Sequence, residues 1–252
     1  MTADVPDAIP CRPIGIIRSP FREKFGIPRQ PGLAPAARAT LEPVPPYDRP
    51  EAFEGLDDFS HIWVLFHFHA TARETWKPTV RPPRLGGNRR VGVFASRSMF
   101  RPNPIGLSVV ALERIDRAGP RPILHLRGAD LLDGTPVLDI KPYLPWVDAL
   151  PGARAAYAGN RPGTVMPVRY APAARKQLND AARMDPDFPA LVEQVLALDP
   201  RPAYRTAKDE RARVYGMRLA GFDVRWKMTD AGIEVVTVEP ESRQPGEPER
   251  KI

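Results

Sequence analysis

Residues 78–108 read PTVRPPRLGGNRRVGVFASRSMFRPNPIGLS, and this stretch decides what kind of fold the chain can adopt. Proline, glycine and asparagine recur along it. Proline lacks a backbone N–H and disfavours helix in the residue before it. We therefore predict an irregular loop around one short strand, followed by a longer strand, rather than a long helix.

The same texture extends on both sides of this stretch, from about residue 12 to residue 150. Proline makes up 32 of the 252 residues, more than twice the average share of about 5 %. Short apolar runs separated by proline and glycine are typical of a β-rich domain. The clearest predicted strands are 14–17, 61–69, 91–95, 107–115 and 123–126.

The chain changes character after residue 165. Apolar residues recur at steps of three and four over 188–198, which predicts a helix with Asp187 as its N-cap, and 173–184 also favours a helix. Strands are predicted at 221–229 and 232–239, joined by a hairpin turn at 230–232. The Pro- and Gly-containing tail 241–252 is predicted to be disordered.

Bulk properties narrow the function classes. Lysine and arginine number 37 against 30 acidic residues, a net charge of +7 that favours polyanionic partners, although many basic proteins bind none. One cysteine, Cys11, excludes an internal disulfide. The chain has no run of eighteen apolar residues and no secretory signal, so we expect a cytoplasmic protein with no membrane partner. Neither a G-x-G-x-x-G fingerprint nor a P-loop is present.

Two segments could carry chemistry. Six arginines and no acidic residue lie between Arg81 and Arg101, a pattern that suits phosphate but would also fit a solvated rim or pairing with distant acids. Asp139, Lys141 and Tyr143 are spaced by two, so on a strand they would share one face, either as a site or as an exposed surface.

The histidines do not predict a metal site. His67 and His69 alternate with Phe66 and Phe68 in the predicted strand 61–69, so the two imidazoles would lie on the same face. His61 and His125 are the other histidines, so packing or hydrogen bonding is a better interpretation than metal ligation.

Four blocks of sequence resemble the TrmO (TsaA-like) family, and they occur in the family's order. They are SPFREKFGIPRQPG (19–32), FSHIWVLFHFH (59–69), GVFASRSMFRPN (92–103) and DLLDGTPVLDIKPYLP (130–145). The resemblance implies a homodimeric S-adenosylmethionine-dependent methyltransferase built on a single-sheet β-barrel. The implied substrate is N6-threonylcarbamoyladenosine on the 3′ side of the anticodon of threonine tRNA, methylated at N6.

The resemblance also divides the chain. It implies an N-terminal tail at 1–11, a catalytic barrel at 12–164, an α+β tRNA-binding appendage at 165–240 and a tail at 241–252. Donor contacts carried over by position are Pro28, Arg29, Gln30, His69, Ala70, Arg97, Leu107, Asp130, Leu131, Leu132 and Asp133. Many relatives have glutamine where this chain has Ala70, and loss of a side-chain hydrogen bond there would weaken binding by about 1 kcal/mol.

Roles at the acceptor are hypotheses from residue type. Asp139 is the first candidate base and Tyr143 the second, because the amide-like N6 is a weak nucleophile until its proton is removed. Lys141 or Arg101 would orient the threonyl carboxylate, with Asn103 and Arg84 as further substrate contacts.

The appendage segment 201–227 would hold the anticodon arm through phosphate contacts and base stacking. The basic residues there are interleaved with Tyr204, Tyr215, Phe222 and Trp226. The same segment could instead serve only to stabilise a dimer. Deleting the residues after Pro167 is expected to weaken tRNA binding and leave donor binding nearly intact. The alternatives to the whole interpretation are a non-enzymatic RNA-binding barrel and a methyltransferase for another acceptor.

Overall fold

The computed structural model describes residues 8–71, 76–86, 88–159, 165–201 and 213–241. Over these residues the chain forms a closed six-stranded barrel, followed by a smaller domain of one four-stranded sheet and two helices. The predicted fold class, mainly β with a barrel ahead of an α+β domain, is confirmed.

Eight strands belong to the N-terminal half of the chain. They are β1 Gly15–Arg18, β2 Arg38–Pro43, β3 His61–His67, β4 Thr79–Val80, β5 Val91–Gly92, β6 Ile105–Asp116, β7 Ile123–Arg127 and β8 Pro136–Pro142. Six of them close the barrel in the order β1-β2-β7-β6-β3-β8, with antiparallel pairing throughout. Strands β4 and β5 form a separate two-stranded ribbon.

The core of the barrel is filled by every second side chain of each strand. Along β3, Ile62, Val64 and Phe66 point inward and are buried, while the residues between them face outward. Successive side chains of a strand lie on opposite faces, so each strand contributes every second residue to the core. Gly106 lies opposite Phe66 in the β3–β6 register, and a Cβ there would overlap the Phe66 ring. This position therefore requires glycine.

The C-terminal half begins with a single helical turn and then builds its own domain. Its elements are α1 Pro145–Asp148, β9 Val168–Tyr170, α2 Pro172–Ala181, α3 Phe188–Ala197, β10 Val214–Leu219, β11 Phe222–Thr229 and β12 Gly232–Pro240. The sheet order is β10-β11-β12-β9, with β9 parallel to β12. The apolar face of α3 packs on this sheet and includes Phe188, Leu191 and Val195.

Several predicted elements need correction. Strands β2, β4, β9 and β10 were not predicted, because each offers at most three inward apolar residues between polar ones, and β8 was considered only as one possibility for Asp139, Lys141 and Tyr143. The predicted strand 91–95 ends at Gly92, where Val93–Ala95 forms a 3-10 turn. Strand β3 ends at His67, and His69 begins the turn His69–Thr71, so the two histidines do not share a strand face.

Both predictions for the ends of the C-terminal elements are confirmed in position, and one of them differs in its contacts. The hairpin turn is confirmed, since Thr229 pairs with Gly232. Asp187 is the N-cap residue of α3, as predicted, but its carboxylate makes no cap hydrogen bond and instead binds the Arg38 guanidinium of β2. An ion pair between the domains has replaced a local cap.

The tails are largely outside the described residues, which include neither 1–7 nor 242–252. The prediction of disorder at 241–252 therefore falls almost wholly there. Among the described helices, none combines the length and apolar character needed to cross a membrane.

Candidate donor and tRNA site

Nearly all the predicted donor contacts lie at one end of the barrel, which we call the donor end. Strands β1, β3 and β7 end there, and β2, β6 and β8 begin there. The segments that follow or precede these strand ends carry residues 28–30, 69–70, 97 and 130–133. Leu107 differs, because its side chain lies on the outer face of β6 and is 49 % exposed.

Asp130 is the most unusual ionisable group at this end. Its Oδ1 accepts a hydrogen bond of 2.7 Å from the Ser108 hydroxyl, which points inward from β6 and is almost fully buried. Burial raises the pKa of Asp130 to about 6, while the hydrogen bond from Ser108 and the positive charge of Arg97 act in the opposite direction. A carboxyl that changes charge near neutral pH therefore lies at the mouth of the barrel.

Asp133 ties the loop after β1 to the loop before β8. Its Oδ1 accepts from the backbone N–H of Ser19 at 3.1 Å, and its Oδ2 lies 3.0 Å from Nη1 of Arg22. The Ser19 hydroxyl donates to the Leu131 carbonyl at 2.7 Å, and Asp133 N–H donates to the Phe21 carbonyl at 2.8 Å. Residues 130–133 and the loop after β1 therefore form one hydrogen-bonded unit.

Two long basic side chains complete the cluster. Arg97 Nη1 donates to the Gln30 side-chain oxygen at 2.8 Å, which joins the arginine-rich segment to the loop after β1. Lys24 Nζ donates to the Ala70 carbonyl at 2.5 Å. This bond to Lys24 uses the Ala70 backbone, so a glutamine at position 70 would make it equally well. Pro28 is buried and Arg29 is exposed beside it.

His69 lies partly buried at the same end. Burial, with a smaller contribution from the neighbouring His67, lowers its pKa and keeps the imidazole neutral at neutral pH. Within the described ranges, no group of three or more His, Cys, Asp or Glu is arranged to hold a metal ion.

The arginine-rich segment forms an exposed rim next to the donor cluster. Arg90 donates to the Thr79 hydroxyl at 3.0 Å, and Arg101 donates to the carbonyls of Ser96 and Ser98 at 3.2 and 3.5 Å. These acceptors are neutral, so the guanidinium charges keep their attraction for an anion. Arg84 lies exposed on the turn Pro83–Leu85, and Asn103 is exposed just before β6.

The three candidate acceptor-side residues lie along the outer wall of the barrel. Lys141 Nζ is 3.1 Å from Asp139 Oδ2, and the Asp139 side chain is 46 % exposed. The Tyr143 ring packs at 5.9 Å from Trp63. Tyr143 is seven residues beyond the start of β8, about 23 Å along an extended strand. The trio shares one face, as spacing predicted, but extends away from the donor end.

Some residues at the donor end were not predicted from sequence. Ser19, Arg22, Lys24 and Ser108 each hold a candidate donor contact in place. All four occur inside or next to the family blocks, so the available signal was their position in those blocks. Nothing in their spacing showed which neighbour each would bind.

The predicted base-stacking aromatics of the appendage are wrong for three of four residues. Tyr215, Phe222 and Trp226 point into the core of the C-terminal domain and are buried, with Tyr215 stacked on Trp226 at 4.6 Å. Buried rings cannot stack on nucleotide bases. Tyr204 lies outside the described residues.

Comparison with known protein families identifies both halves of the chain. Residues 16–149 match the family described as the tRNA-methyltransferase O N-terminal domain, and residues 163–241 match the TrmO C-terminal domain. The chain belongs to the TrmO family. The resemblance drawn from the four sequence blocks is confirmed.

Individual relatives agree with the family assignment. The tRNA (adenine(37)-N6)-methyltransferase of Escherichia coli K12 is 51 % identical over 227 residues, which cover 90 % of this chain and 96 % of that protein. A Pseudomonas aeruginosa relative, provisionally named S-adenosylmethionine-dependent methyltransferase RcsF, is 54 % identical over 85 % of this chain and 90 % of its own length. The crystal structure of TrmO from P. aeruginosa matches with a TM-score of 0.77 at 44 % identity, covering 94 % of this chain and 99 % of that one.

Proposed function

We propose that the protein is an S-adenosylmethionine-dependent tRNA methyltransferase that methylates N6 of N6-threonylcarbamoyladenosine, next to the anticodon of threonine tRNA. The observation that carries the proposal is the match to the TrmO family along both domains, together with the 51 % identity to a tRNA (adenine(37)-N6)-methyltransferase over nearly the whole chain. The modified nucleoside and the tRNA species deepen that assignment on the basis of the family resemblance.

The chemistry of the donor end fits a sulfonium nucleoside. The carboxylates of Asp130 and Asp133 are suited to hydroxyl and cationic groups, and Arg29 and Arg97 to the methionine carboxylate. The remaining contacts to the cofactor would come from Pro28, Gln30, His69, Ala70, Leu107, Leu131 and Leu132. When bound, the cofactor supplies an electrophilic methyl group. The residues of the chain hold it at the barrel end and fix the line of approach for the acceptor.

On the acceptor side, Asp139 lies nearest the donor end of the three residues and takes the N6 proton, whereas Tyr143, the second candidate, lies four residues farther from that end and is less suited to the role. Lys141 holds the Asp139 carboxylate at 3.1 Å and fixes its direction. Arg101, pinned across its own loop, presents its guanidinium toward the threonyl carboxylate, and Asn103 and Arg84 contact the nucleotide beside it. The exposed arginines of the rim bind backbone phosphates of the anticodon arm.

A homodimer is part of the proposal. The outer face of β3, β6 and β8 and the turn after it expose large apolar side chains, among them Ile105, Leu107, Leu150 and Trp146, the last 83 % exposed. An apolar face of this kind on a soluble fold marks an association surface. A second copy of the chain is the occupant that the family resemblance supports.

In this proposal the two domains have different roles, and their boundaries are those predicted from the sequence. Residues 12–164 form the catalytic barrel and 165–240 an appendage that contacts tRNA, between tails at 1–11 and 241–252. The site of action is the cytoplasm, where tRNA is processed. No metal ion takes part in the proposed reaction.

Two measurements separate the proposal from its rivals. Calorimetry with S-adenosylmethionine should give saturable binding, whereas a purely RNA-binding barrel would give no heat. Expression of the chain in a bacterium deleted for its own TrmO should restore methylated N6-threonylcarbamoyladenosine, measured by mass spectrometry of tRNA nucleosides. Donor binding without restoration would point to another acceptor and contradict the proposed substrate.

A further inference from the structure

The loop after β1, residues 19–37, lies between the two domains, and we call it the strap. Although it is part of the barrel half of the chain, its apolar side chains belong to the C-terminal core. Phe21, Ala34 and Ala37 are buried there, and Phe25 and Ile27 are packed against them. The strap therefore has no apolar core of its own and relies on the C-terminal domain for burial.

The beginning of the strap is joined to strand β10. Phe21 forms a β-bridge with Leu219, and Ala220 N–H donates to the Pro20 carbonyl at 2.8 Å. The Glu23 carboxylate accepts from Arg218 N–H at 3.0 Å. These bonds extend the edge of the C-terminal sheet into the strap.

The end of the strap is joined to helix α3. Ala36 N–H donates to the side-chain oxygen of Gln194 at 2.8 Å. This partly buried contact pairs a backbone donor of the strap with α3, so its removal would loosen the end of the strap.

The turn between the two joined ends of the strap packs closely against the C-terminal domain. Gly26 has a φ of +90°, and a Cβ at this position would lie 3.1 Å from Met217 Sδ and 3.7 Å from Val195 Cγ1. The backbone therefore runs directly against side chains of β10 and α3. Two residues further on, the strap presents Pro28, Arg29 and Gln30.

The opposite side of the strap contacts the donor cluster. Through Ser19 and Arg22 it binds Asp133, through Lys24 it binds Ala70, and through Gln30 it meets Arg97. One segment thus has its apolar side in the C-terminal core and its polar side in the candidate donor site.

We propose that the C-terminal domain is a positioning element of the methyl-donor site, because β10 and α3 hold the strap in the conformation that binds the donor. The inference rests on the proposed function, which assigns residues 28–30 and 130–133 to the donor. A preorganised strap binds donor without first being ordered, so loosening it weakens binding. Binding effects are reciprocal, so any change that tRNA bound to this domain makes in donor affinity is matched by an equal change that the donor makes in tRNA affinity. Under this inference, deletion of the residues after Pro167 weakens donor binding, whereas the sequence alone predicts that donor binding stays nearly intact.

The chain offers a matched pair of variants for the test. Gln194 accepts from the strap at Ala36, and Gln177 of α2 accepts in the same way from Val238 N–H of β12, at 2.9 Å. Strand β12 is two strands away from β10, the strand that the strap joins. Gln194→Ala and Gln177→Ala therefore remove the same kind of bond from the same domain, at the strap and away from it.

In the full-length protein, calorimetry should show donor affinity reduced about threefold or more in Gln194→Ala and unchanged in Gln177→Ala, a difference consistent with the loss of one partly buried hydrogen bond. Gln194→Glu keeps the acceptor oxygen and should restore affinity. Kinetics should show a raised KM for S-adenosylmethionine in Gln194→Ala, with the KM for tRNA and kcat little changed.

A second pair removes packing instead of a hydrogen bond. Met217→Ala should reduce donor affinity about tenfold, whereas Val238→Ala, buried in the same core, should leave it unchanged. Circular dichroism would establish that both remain folded at the temperature of measurement.

The outcomes separate the inference from the function on which it rests. Donor affinity that stays at the wild-type value in both strap variants, or falls equally in strap variants and controls, overturns the inference and leaves the proposed function standing. A wild-type protein that binds no S-adenosylmethionine overturns the proposed function, and the inference with it.

Discussion

Replacing Asp130 by asparagine is expected to make the protein more stable at neutral pH and a poorer methyltransferase. Burial raises the pKa of this carboxyl from 3.8 to about 6. Asparagine is neutral at every pH and keeps the oxygen that accepts from Ser108. The substitution therefore removes the unfavourable burial of a negative charge and leaves the hydrogen bond in place.

The sign and size of the effect follow from proton linkage. The folded protein holds the Asp130 proton more tightly than the unfolded chain, so this group lowers the free energy of unfolding as pH rises from 3.8 to about 6. A shift of about two units at 1.36 kcal/mol per unit corresponds to about 3 kcal/mol, an upper bound for a side chain that keeps some contact with water. Below the unfolded-state pKa the two proteins should be equally stable.

Urea unfolding of wild type and Asp130→Asn at several pH values from about 4 to 7 measures this difference directly. The stability advantage of the variant should open between about pH 4 and pH 6 and stay constant above. Ser108→Ala should act in the opposite direction, because it removes a bond that lowers the pKa. A variant no more stable than wild type at neutral pH, or an advantage independent of pH, would refute the reasoning. Calorimetry should show weaker donor binding in the stabilised variant.

Three further substitutions test other parts of the account. Asp139→Asn should lower kcat at least a hundredfold with unchanged tRNA affinity, and full turnover would eliminate Asp139 as the base. Gly106→Ala should destabilise the barrel by about 1–3 kcal/mol, because its methyl group would overlap the Phe66 ring. Gly92→Ala is the control, because a methyl group there meets open space and should not change the stability. Equal urea midpoints for the two variants would contradict this prediction. Trp146→Glu should shift the protein from dimer to monomer in analytical ultracentrifugation, and an unchanged mass would place the association surface elsewhere.

The barrel could be predicted from the sequence where strands are strongly apolar. The runs around Val64, Val110 and Leu124 gave correct strands, because alternation over several residues has few other interpretations. Strand β2 was missed because Ala39 and Leu41 are its main inward side chains, and they depend on partners distant in sequence. A local sequence pattern cannot predict a strand whose few inward side chains are stabilised mainly by strands distant in sequence.

The candidate site, like the barrel, could be predicted from the sequence only in part. The family blocks named segments that the fold brings to one end of the barrel, but the partners of Asp130 and Asp133 are set by the closure of the barrel. The error over Trp226 was avoidable, since Arg225 and Lys227 flank it along the predicted strand β11 and so lie on the opposite face. Tyr215 lies on β10, a strand that was not predicted. The strap could not be predicted, because a basic loop rich in proline and glycine does not show which domain buries its few apolar residues.

The most direct test of the central claim is a reaction of the purified protein with S-adenosylmethionine carrying an isotopically labelled methyl group. Threonine tRNA would be supplied with or without its threonylcarbamoyl group, and the digested nucleosides analysed by mass spectrometry. We predict labelled methyl on N6 of N6-threonylcarbamoyladenosine and none on tRNA that lacks this modification. Label on unmodified adenosine or on another nucleoside, or no label at all, would contradict the account.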